Sequence, residues 1–237
     1  MSAVAVPPIK AERLRSTHRL IPTKYSRAET VLSRLTADAQ TLHDLLELDG
    51  ATNDRLLGES GLLPGITVNE LIFGVPYAHI VNAAFTHASP DGGRFNDAMR
   101  GAWYAGLERR TSVAEVAFHK LEQLAEVSWP KEEISNYDDY LADISADLHD
   151  LRGGRRGFTR YLAPGPIPAC YAEPQALAAT LLKAGSSGIV YPSVRLDGGT
   201  CVVCFRPALI SSVKRGAELE LRLLAGRAFT SSQMRVV

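Results

Sequence analysis

Residues 92–119 read GGRFNDAMRGAWYAGLERRTSVAEVAFH, and this stretch decides how the rest of the chain is interpreted. Paired glycines, which mark a turn, precede Arg94, and a short apolar run follows that places Tyr104 on a predicted buried strand. A helix then begins near Ser112 and carries Glu115. A guanidinium, a phenol and a carboxylate therefore fall on three consecutive elements, from which they could converge on one pocket.

Each of these three side chains also has an ordinary structural interpretation. An arginine on a turn is usually solvated, and a tyrosine on a buried strand is usually part of the core. Glu115 follows Ser112 at the spacing of a capping box, in which the glutamate satisfies backbone donors at a helix start. The spacing alone leaves both interpretations of Glu115 open.

The helix predicted from Ser112 onward has two different faces. Its packing stripe is apolar and consists of Val113, Val116, Ala117, Leu121 and Leu124. A second face carries Glu115, His119, Glu122 and Glu126. A carboxylate on the first turn of such a helix, beside a strand and a glycine turn, is well placed to line a cleft, which favours a catalytic role for Glu115.

The composition is typical of an ordinary globular protein. The 237 residues are 46% hydrophobic and 22% charged, which fits one large domain or two small ones. Lys plus Arg and Asp plus Glu both number 26, so the net charge is zero and predicts no direct nucleic-acid binding. The sequence shows no apolar run of membrane-spanning length and no signal-peptide pattern, so we expect a cytoplasmic protein that does not bind a membrane.

The three cysteines form neither a disulfide framework nor a complete metal site. Cys201 and Cys204 lie on a predicted strand, where residues three apart face opposite sides. No second pair of Cys or His residues completes a set of four ligands. We therefore interpret both as buried structural cysteines and expect no bound metal.

The remaining patterns predict an α+β fold with a single domain. We expect a flexible tail at residues 1–15 and a domain over residues 16–237, divided into an N-terminal helical part (16–90) and a core that carries the site motifs (91–237). The periodicity predicts a strand at 18–22, a helix at 27–48, a helix or strand at 77–87, a loop at 127–138, and strands at 140–148 and 219–223. Residues 174–185 read as a helix that opens at Pro174 and ends at Gly185.

Residues 188–196, GIVYPSVRL, read as another strand, which a turn at residues 197–199 connects to the strand of the two cysteines. If this strand is extended, one face presents Ile189, Tyr191, Ser193 and Arg195. Because Pro192 cannot donate to a ladder of hydrogen bonds, we predict an edge strand or a bulge there. Two interpretations of this face therefore remain open: it is exposed to solvent at the edge of the sheet, or it carries functional side chains.

Four motifs occur in an order that resembles the RES domain, a family named for its arginine, glutamate and serine. They are residues 93–96 (GRFN), 103–105 (WYA), 111–115 (TSVAE) and 188–195 (GIVYPSVR). The resemblance extends from about residue 18 to beyond residue 207. It places the family arginine at Arg94, the tyrosine at Tyr104, the glutamate at Glu115 and the serine at Ser193.

This resemblance implies a fold similar to that of ADP-ribosyltransferases, with a mixed, strongly bent β-core flanked by helices and a cleft for NAD. It also implies a toxin of a bacterial toxin–antitoxin pair, which a cognate antitoxin holds inactive. Such a toxin destroys NAD by phosphorolysis or hydrolysis, with NAD as its substrate, inorganic phosphate as co-substrate in the first case, and no cofactor.

In such a mechanism Glu115 would stabilise an oxocarbenium-like ribose, and Arg94 would hold a diphosphate oxygen or the incoming phosphate. Tyr104 would stack on or hydrogen-bond to the nicotinamide ribose, Ser193 would position Glu115 or the ribose hydroxyls, and Arg195 is a second predicted anion contact. Two other functions remain open: transfer of ADP-ribose to a protein, and a non-catalytic interaction module with the same fold. The predicted helix at 27–48 could serve a homodimer interface.

Overall fold

The computed structural model describes residues 6–26, 65–153, 157–230 and 233–237. These residues form seven strands: β1 (Ile9–Pro22), β2 (Trp103–Gly106), β3 (Glu133–Asp150), β4 (Gly188–Pro192), β5 (Thr200–Cys204), β6 (Ile210–Leu223) and β7 (Met234–Val236). They also form four α-helices: α1 (Thr23–Ser26), α2 (Ala78–Thr86), α3 (Arg109–Glu126) and α4 (Ala172–Lys183). The helix predicted at residues 27–48 lies outside the described residues.

All seven strands belong to one mixed sheet with the order β1-β2-β5-β4-β3-β6-β7. β1 also pairs with β3, so that β1, β2, β5, β4 and β3 close into a ring, from which β6 and β7 extend. β3 and β4 are parallel, and the other neighbouring strands are antiparallel. The predicted α+β fold with a mixed, strongly bent β-core is therefore confirmed.

Apolar side chains pack on both faces of this sheet. One cluster takes residues from all five strands of the ring, among them Trp103 and Cys204, and is completed by helix α2. A second cluster covers the opposite face of β4 and β5 and includes Val203, with Leu177 of helix α4. A third joins helix α3 to β1, β3 and β6. Helices α3 and α4 therefore pack against the sheet through different clusters, α4 through the second and α3 through the third.

The structure corrects several boundaries that the sequence predicts. The predicted tail at residues 1–15 is wrong from Ile9 onward, because β1 begins there and pairs with β3. The strand predicted at residues 18–22 is confirmed as the second part of β1, so this portion of the predicted N-terminal part belongs to the sheet. The predicted loop at 127–138 is wrong from Glu133, where β3 begins, and the segment at 77–87 contains helix α2.

The strand predicted at residues 188–196 is shorter than expected and lies inside the sheet. β4 pairs with β5 on one side and β3 on the other, so the prediction of an edge strand is wrong for most of its length. Its pairing with β3 stops at Val190, however, and Pro192 pairs only with Thr200 of β5. Proline is tolerated there because no described strand adjoins it on the β3 side. Ser193 follows in the turn to β5.

Candidate active site

A cavity of about 470 Å³ opens between helix α3, the sheet and the glycine turn that carries Arg94. It is lined by a row of paired residues across four neighbouring strands: His18 of β1, Gly106 of β2, Cys201 of β5 and Tyr191 of β4. Paired residues on neighbouring strands point to the same face of a sheet. The row therefore places the cavity on the face that also carries α3.

Helix α3 provides the longest wall of the cavity. The four residues predicted for its polar face all line the cavity: Glu115, His119, Glu122 and Glu126. Its apolar face packs against the sheet, where the residues most buried are Val113, Ala117 and Leu124. The two-faced helix that the sequence predicts is thus present, and its polar face borders the cavity.

The capping-box interpretation of Glu115 is wrong, because α3 begins at Arg109 rather than near Ser112. The Ser112 hydroxyl lies within the helix, where it accepts a hydrogen bond from the amide of Gly106 (2.9 Å) and donates to the carbonyl of His18 (2.5 Å). Glu115 therefore lies on the second turn, where the amides already have partners within the helix. Its carboxylate is available for the cavity.

Two donors converge on a single oxygen of the Glu115 carboxylate. The Ser193 hydroxyl donates to Oε1 at 2.7 Å, and the Cys201 sulfur lies 3.6 Å from the same atom. The Ser193 oxygen itself accepts the amides of Arg195 (3.1 Å) and Leu196 (3.0 Å), which fixes its position. Within the described parts of the chain no hydrogen bond reaches the other carboxylate oxygen, Oε2.

Arg94 is a buried cation, with only 7% of its surface exposed. Its Nη1 donates to the carbonyls of Tyr161 (3.3 Å) and Ala163 (3.2 Å), and its guanidinium carbon lies 5.3 Å from the centre of the Tyr171 ring. No Asp or Glu among the described residues forms an ion pair with it. Because an uncompensated buried charge is costly, this position favours the binding of an anion.

Tyr104 fixes the turn that carries Arg94. Its hydroxyl accepts a hydrogen bond from the Phe95 amide (2.9 Å) and donates to Oδ1 of Asn96 (2.8 Å). Burial raises the pKa of Tyr104 above its usual value, so the phenol stays protonated at neutral pH. A Cβ atom on Gly93 would lie 2.8 Å from this hydroxyl, which explains the glycine there. The ring lines the cavity, but the hydroxyl is occupied by the turn.

Arg195 lies in the turn between β4 and β5 and also lines the cavity. The predicted strand face that would hold it together with Ser193 is wrong, because β4 ends before either residue. Its guanidinium carbon lies 3.3 Å from the centre of the Phe118 ring of α3. Its Nη2 is buried and has no hydrogen-bond partner in the described part of the chain. A ligand anion would satisfy this nitrogen.

Sequence reasoning missed two residues of the site, Tyr171 and Cys201. Tyr171 ends a short helical turn (Ala169–Tyr171), and the loop around it has no periodic pattern that would reveal its role. Cys201 is buried, as predicted, and it faces away from Cys204, which belongs to a different apolar cluster. Its contact with Glu115 depends on strand pairing that the sequence does not reveal. No group of three or more potential metal ligands occurs among the described residues.

Comparison with known families identifies the class of this protein. The family model described as "RES domain" matches residues 71–223, which is more than half of the chain. The protein therefore belongs to the RES domain family. A solved structure that it matches is the crystal structure of the M. tuberculosis MbcT–MbcA toxin–antitoxin complex, with 14% identity, 56% of this chain and 73% of that chain covered, and a TM-score of 0.39.

A comparison with curated proteins found no match. Among the helices of the described residues, none has both the length and the apolar character that a membrane span requires.

Proposed function

We propose that this protein is a RES-type toxin that cleaves the nicotinamide–ribose bond of NAD, with inorganic phosphate or water as acceptor, under the control of a cognate antitoxin. The observation that carries the proposal is the single cavity shared by Arg94 and Glu115. A buried arginine that lacks an acidic partner among the described residues favours a phosphate group. A carboxylate with one unbonded oxygen favours a developing positive charge, and NAD offers both.

The bond to be broken requires little acid catalysis. The electron pair of the C1′–N bond passes to the pyridinium ring, and nicotinamide leaves as a neutral molecule. An oxygen of phosphate or water then forms a bond to C1′, and when water is the acceptor its proton passes to solvent. The barrier therefore lies in the cationic ribose, whereas ordinary glycoside hydrolysis also requires protonation of the leaving oxygen.

Glu115 is the residue best placed to stabilise this ribose. Its Oε1 is held by Ser193 and Cys201, which leaves Oε2 for the substrate. A fixed charge of this kind contributes about 3–4 kcal/mol to transition-state stabilisation. Ser193 would act through Glu115 rather than on the ribose, because its hydroxyl is already fully bonded.

Arg94 and Arg195 would bind the phosphate groups of the substrates. The planar fork of a guanidinium bonds two phosphate oxygens at once, and each arginine rests on an aromatic ring that holds it in place. The ring of Tyr104 provides a stacking surface beside them. The same two cations serve the diphosphate of NAD or an incoming phosphate, so both acceptors remain part of the proposal.

The test compares Glu115→Gln with the wild-type protein and with Glu132→Gln. Glu132 is half-exposed and does not line the cavity, so its substitution controls for loss of a glutamate elsewhere. We expect NAD consumption to fall by about 10²–10³ in Glu115→Gln, with growth inhibition relieved, and to be unchanged in the control. Phosphorus NMR of products made with and without phosphate then identifies the acceptor.

Two results would contradict this proposal. One is NAD consumption by Glu115→Gln at the wild-type rate, measured on folded protein. The other is a labelled protein band when the wild-type enzyme and labelled NAD are incubated with lysate, which would instead support transfer of ADP-ribose to a protein.

A further inference from the structure

We propose that Cys201 is a positioning residue, whose thiol acts with the Ser193 hydroxyl to orient the Glu115 carboxylate toward the substrate. The rate effects expected below rest on the proposed NAD cleavage. The contact between the Cys201 thiol and the Glu115 carboxylate does not depend on the proposed NAD cleavage, and a second experiment tests it separately.

The Cys201 thiol lies next to the carboxylate oxygen that also accepts the Ser193 hydroxyl. Cys201 is 3% exposed, lines the cavity, and stands in the row of paired residues between Gly106 and Tyr191. Its sulfur lies 3.6 Å from Oε1 of Glu115, the oxygen that also accepts the Ser193 hydroxyl. With two donors on Oε1, the carboxylate cannot rotate freely, and Oε2 is the oxygen left for the ribose.

The thiol is suited to this role because it remains protonated. Burial, together with the neighbouring Glu115 charge, raises the pKa of the Cys201 thiol above its usual value. It therefore stays a neutral donor at physiological pH and adds no second negative charge to the site. The other ionisable groups that line the cavity with Cys201 and Glu115 come from β1, the glycine turn, β2, α3, β4 and the segments next to α4 and β5: His18, Arg19, Asp91, Arg94, Tyr104, His119, Glu122, Glu126, Tyr171, Tyr191 and Arg195.

Cys204 provides a matched control for substitutions at Cys201. Both cysteines lie on β5 and both are buried, but Cys204 faces the cluster on the opposite side of the sheet. Cys201→Ala and Cys204→Ala therefore remove the same atoms from buried positions on one strand, and only the first removes a donor to Glu115. Cys201→Ser keeps a hydroxyl donor at the same position.

The first experiment measures NAD cleavage by these three variants. We expect kcat to fall by about three- to tenfold in Cys201→Ala with KM little changed, because the lost interaction orients the carboxylate rather than binding the substrate. We expect Cys201→Ser to restore kcat to within about twofold, and Cys204→Ala to keep the wild-type kcat. Equal kcat losses in the two alanine variants, or no loss in Cys201→Ala, would overturn the proposal.

The second experiment does not depend on catalysis. Methyl methanethiosulfonate is added at about pH 8.5, and modification of each cysteine is followed by mass spectrometry in the wild-type protein and in Glu115→Gln. Loss of the neighbouring charge should let Cys201 ionise more readily and react several-fold faster, while Cys170 and Cys204 keep their rates. An unchanged Cys201 rate would refute the contact. If the wild-type protein consumes no NAD, the proposed function fails, and this second measurement alone decides the inference.

Discussion

The substitution Tyr104→Phe tests whether this phenol acts on the substrate or on the turn. It removes one oxygen that accepts from the Phe95 amide at 2.9 Å and donates to Asn96 at 2.8 Å. Phe95 is 1% exposed, so its amide would lose its partner in a place that water reaches poorly. An unsatisfied buried donor costs about 1–3 kcal/mol. We therefore expect a loss of about 2 kcal/mol in unfolding free energy.

Urea denaturation and thermal unfolding measure this loss. For a chain of this size, about 2 kcal/mol corresponds to a fall in Tm of about 4–8 °C. Tyr25→Phe is the control, because Tyr25 is 65% exposed and its hydroxyl can bond water. The ring is retained in Tyr104→Phe, so stacking on a ligand would survive, while NAD cleavage should weaken through the displaced turn that carries Arg94. An unchanged Tm combined with lost NAD binding would refute this reasoning and show a direct substrate contact of the hydroxyl.

Two further predictions concern the turn that carries Arg94 and the buried thiol of Cys204. Gly93→Ala should lower the proposed NAD cleavage at least about tenfold, because its Cβ would lie 2.5 Å from Oδ1 of Asn96 and would push apart the turn that holds Arg94. Gly153→Ala, which meets no atom within 4 Å, is the control, and equal kinetics of the two variants would contradict this explanation. Burial raises the pKa of the Cys204 thiol from 9.0 to about 12, so the folded protein keeps this thiol protonated at pH values where the unfolded chain has lost the proton. The contribution of the thiol to the free energy of unfolding is therefore complete below about pH 9 and is lost as the pH rises toward about 12. Urea titrations should therefore show a decline in stability above about pH 9 that is shallower in Cys204→Ala by up to about 1.4 kcal/mol per pH unit, and equal slopes would argue against it.

The fold was predictable where the local pattern matches the tertiary environment. The alternation at residues 140–148 lies in β3, the helix predicted at 174–185 overlaps α4, and the turn at 197–199 joins β4 to β5. The second part of β1 matches the strand predicted at residues 18–22, but its first half is not predictable, because that half buries only Leu14 and pairs with β3 through its backbone. A strand that is held mainly by backbone pairing to a distant partner has no apolar alternation to reveal it.

The start of α3 was misplaced for a similar reason. Glu108, Arg109 and Arg110 precede the predicted start, and none of them is a favoured capping residue. Ser112 and Glu115 have the spacing of a capping box, but Ser112 bonds across to β1 and β2 instead. Local spacing cannot distinguish these partners, because the tertiary bonds involve residues from other parts of the chain.

The order of four motifs identified Arg94, Tyr104, Glu115 and Ser193 as candidates, and the structure brings them together. Glu115 and Ser193 are in direct contact, while Arg94 and Tyr104 line the same cavity as Glu115. What the sequence could not provide is the way in which each group is held. The partner of Glu115 on β5 and the aromatic ring beneath Arg94 both come from segments outside the four motifs.

These supports have a consequence for the proposed catalysis. The Glu115 carboxylate is fixed by a turn, a strand and a helix at once, and Arg94 is fixed by two carbonyls and a ring. The two charges are therefore positioned before a ligand arrives, so little reorganisation is needed when charge develops in the transition state. Substitutions that loosen the supports should reduce kcat more than they raise KM, because they affect alignment in the transition state more than binding of the ground state.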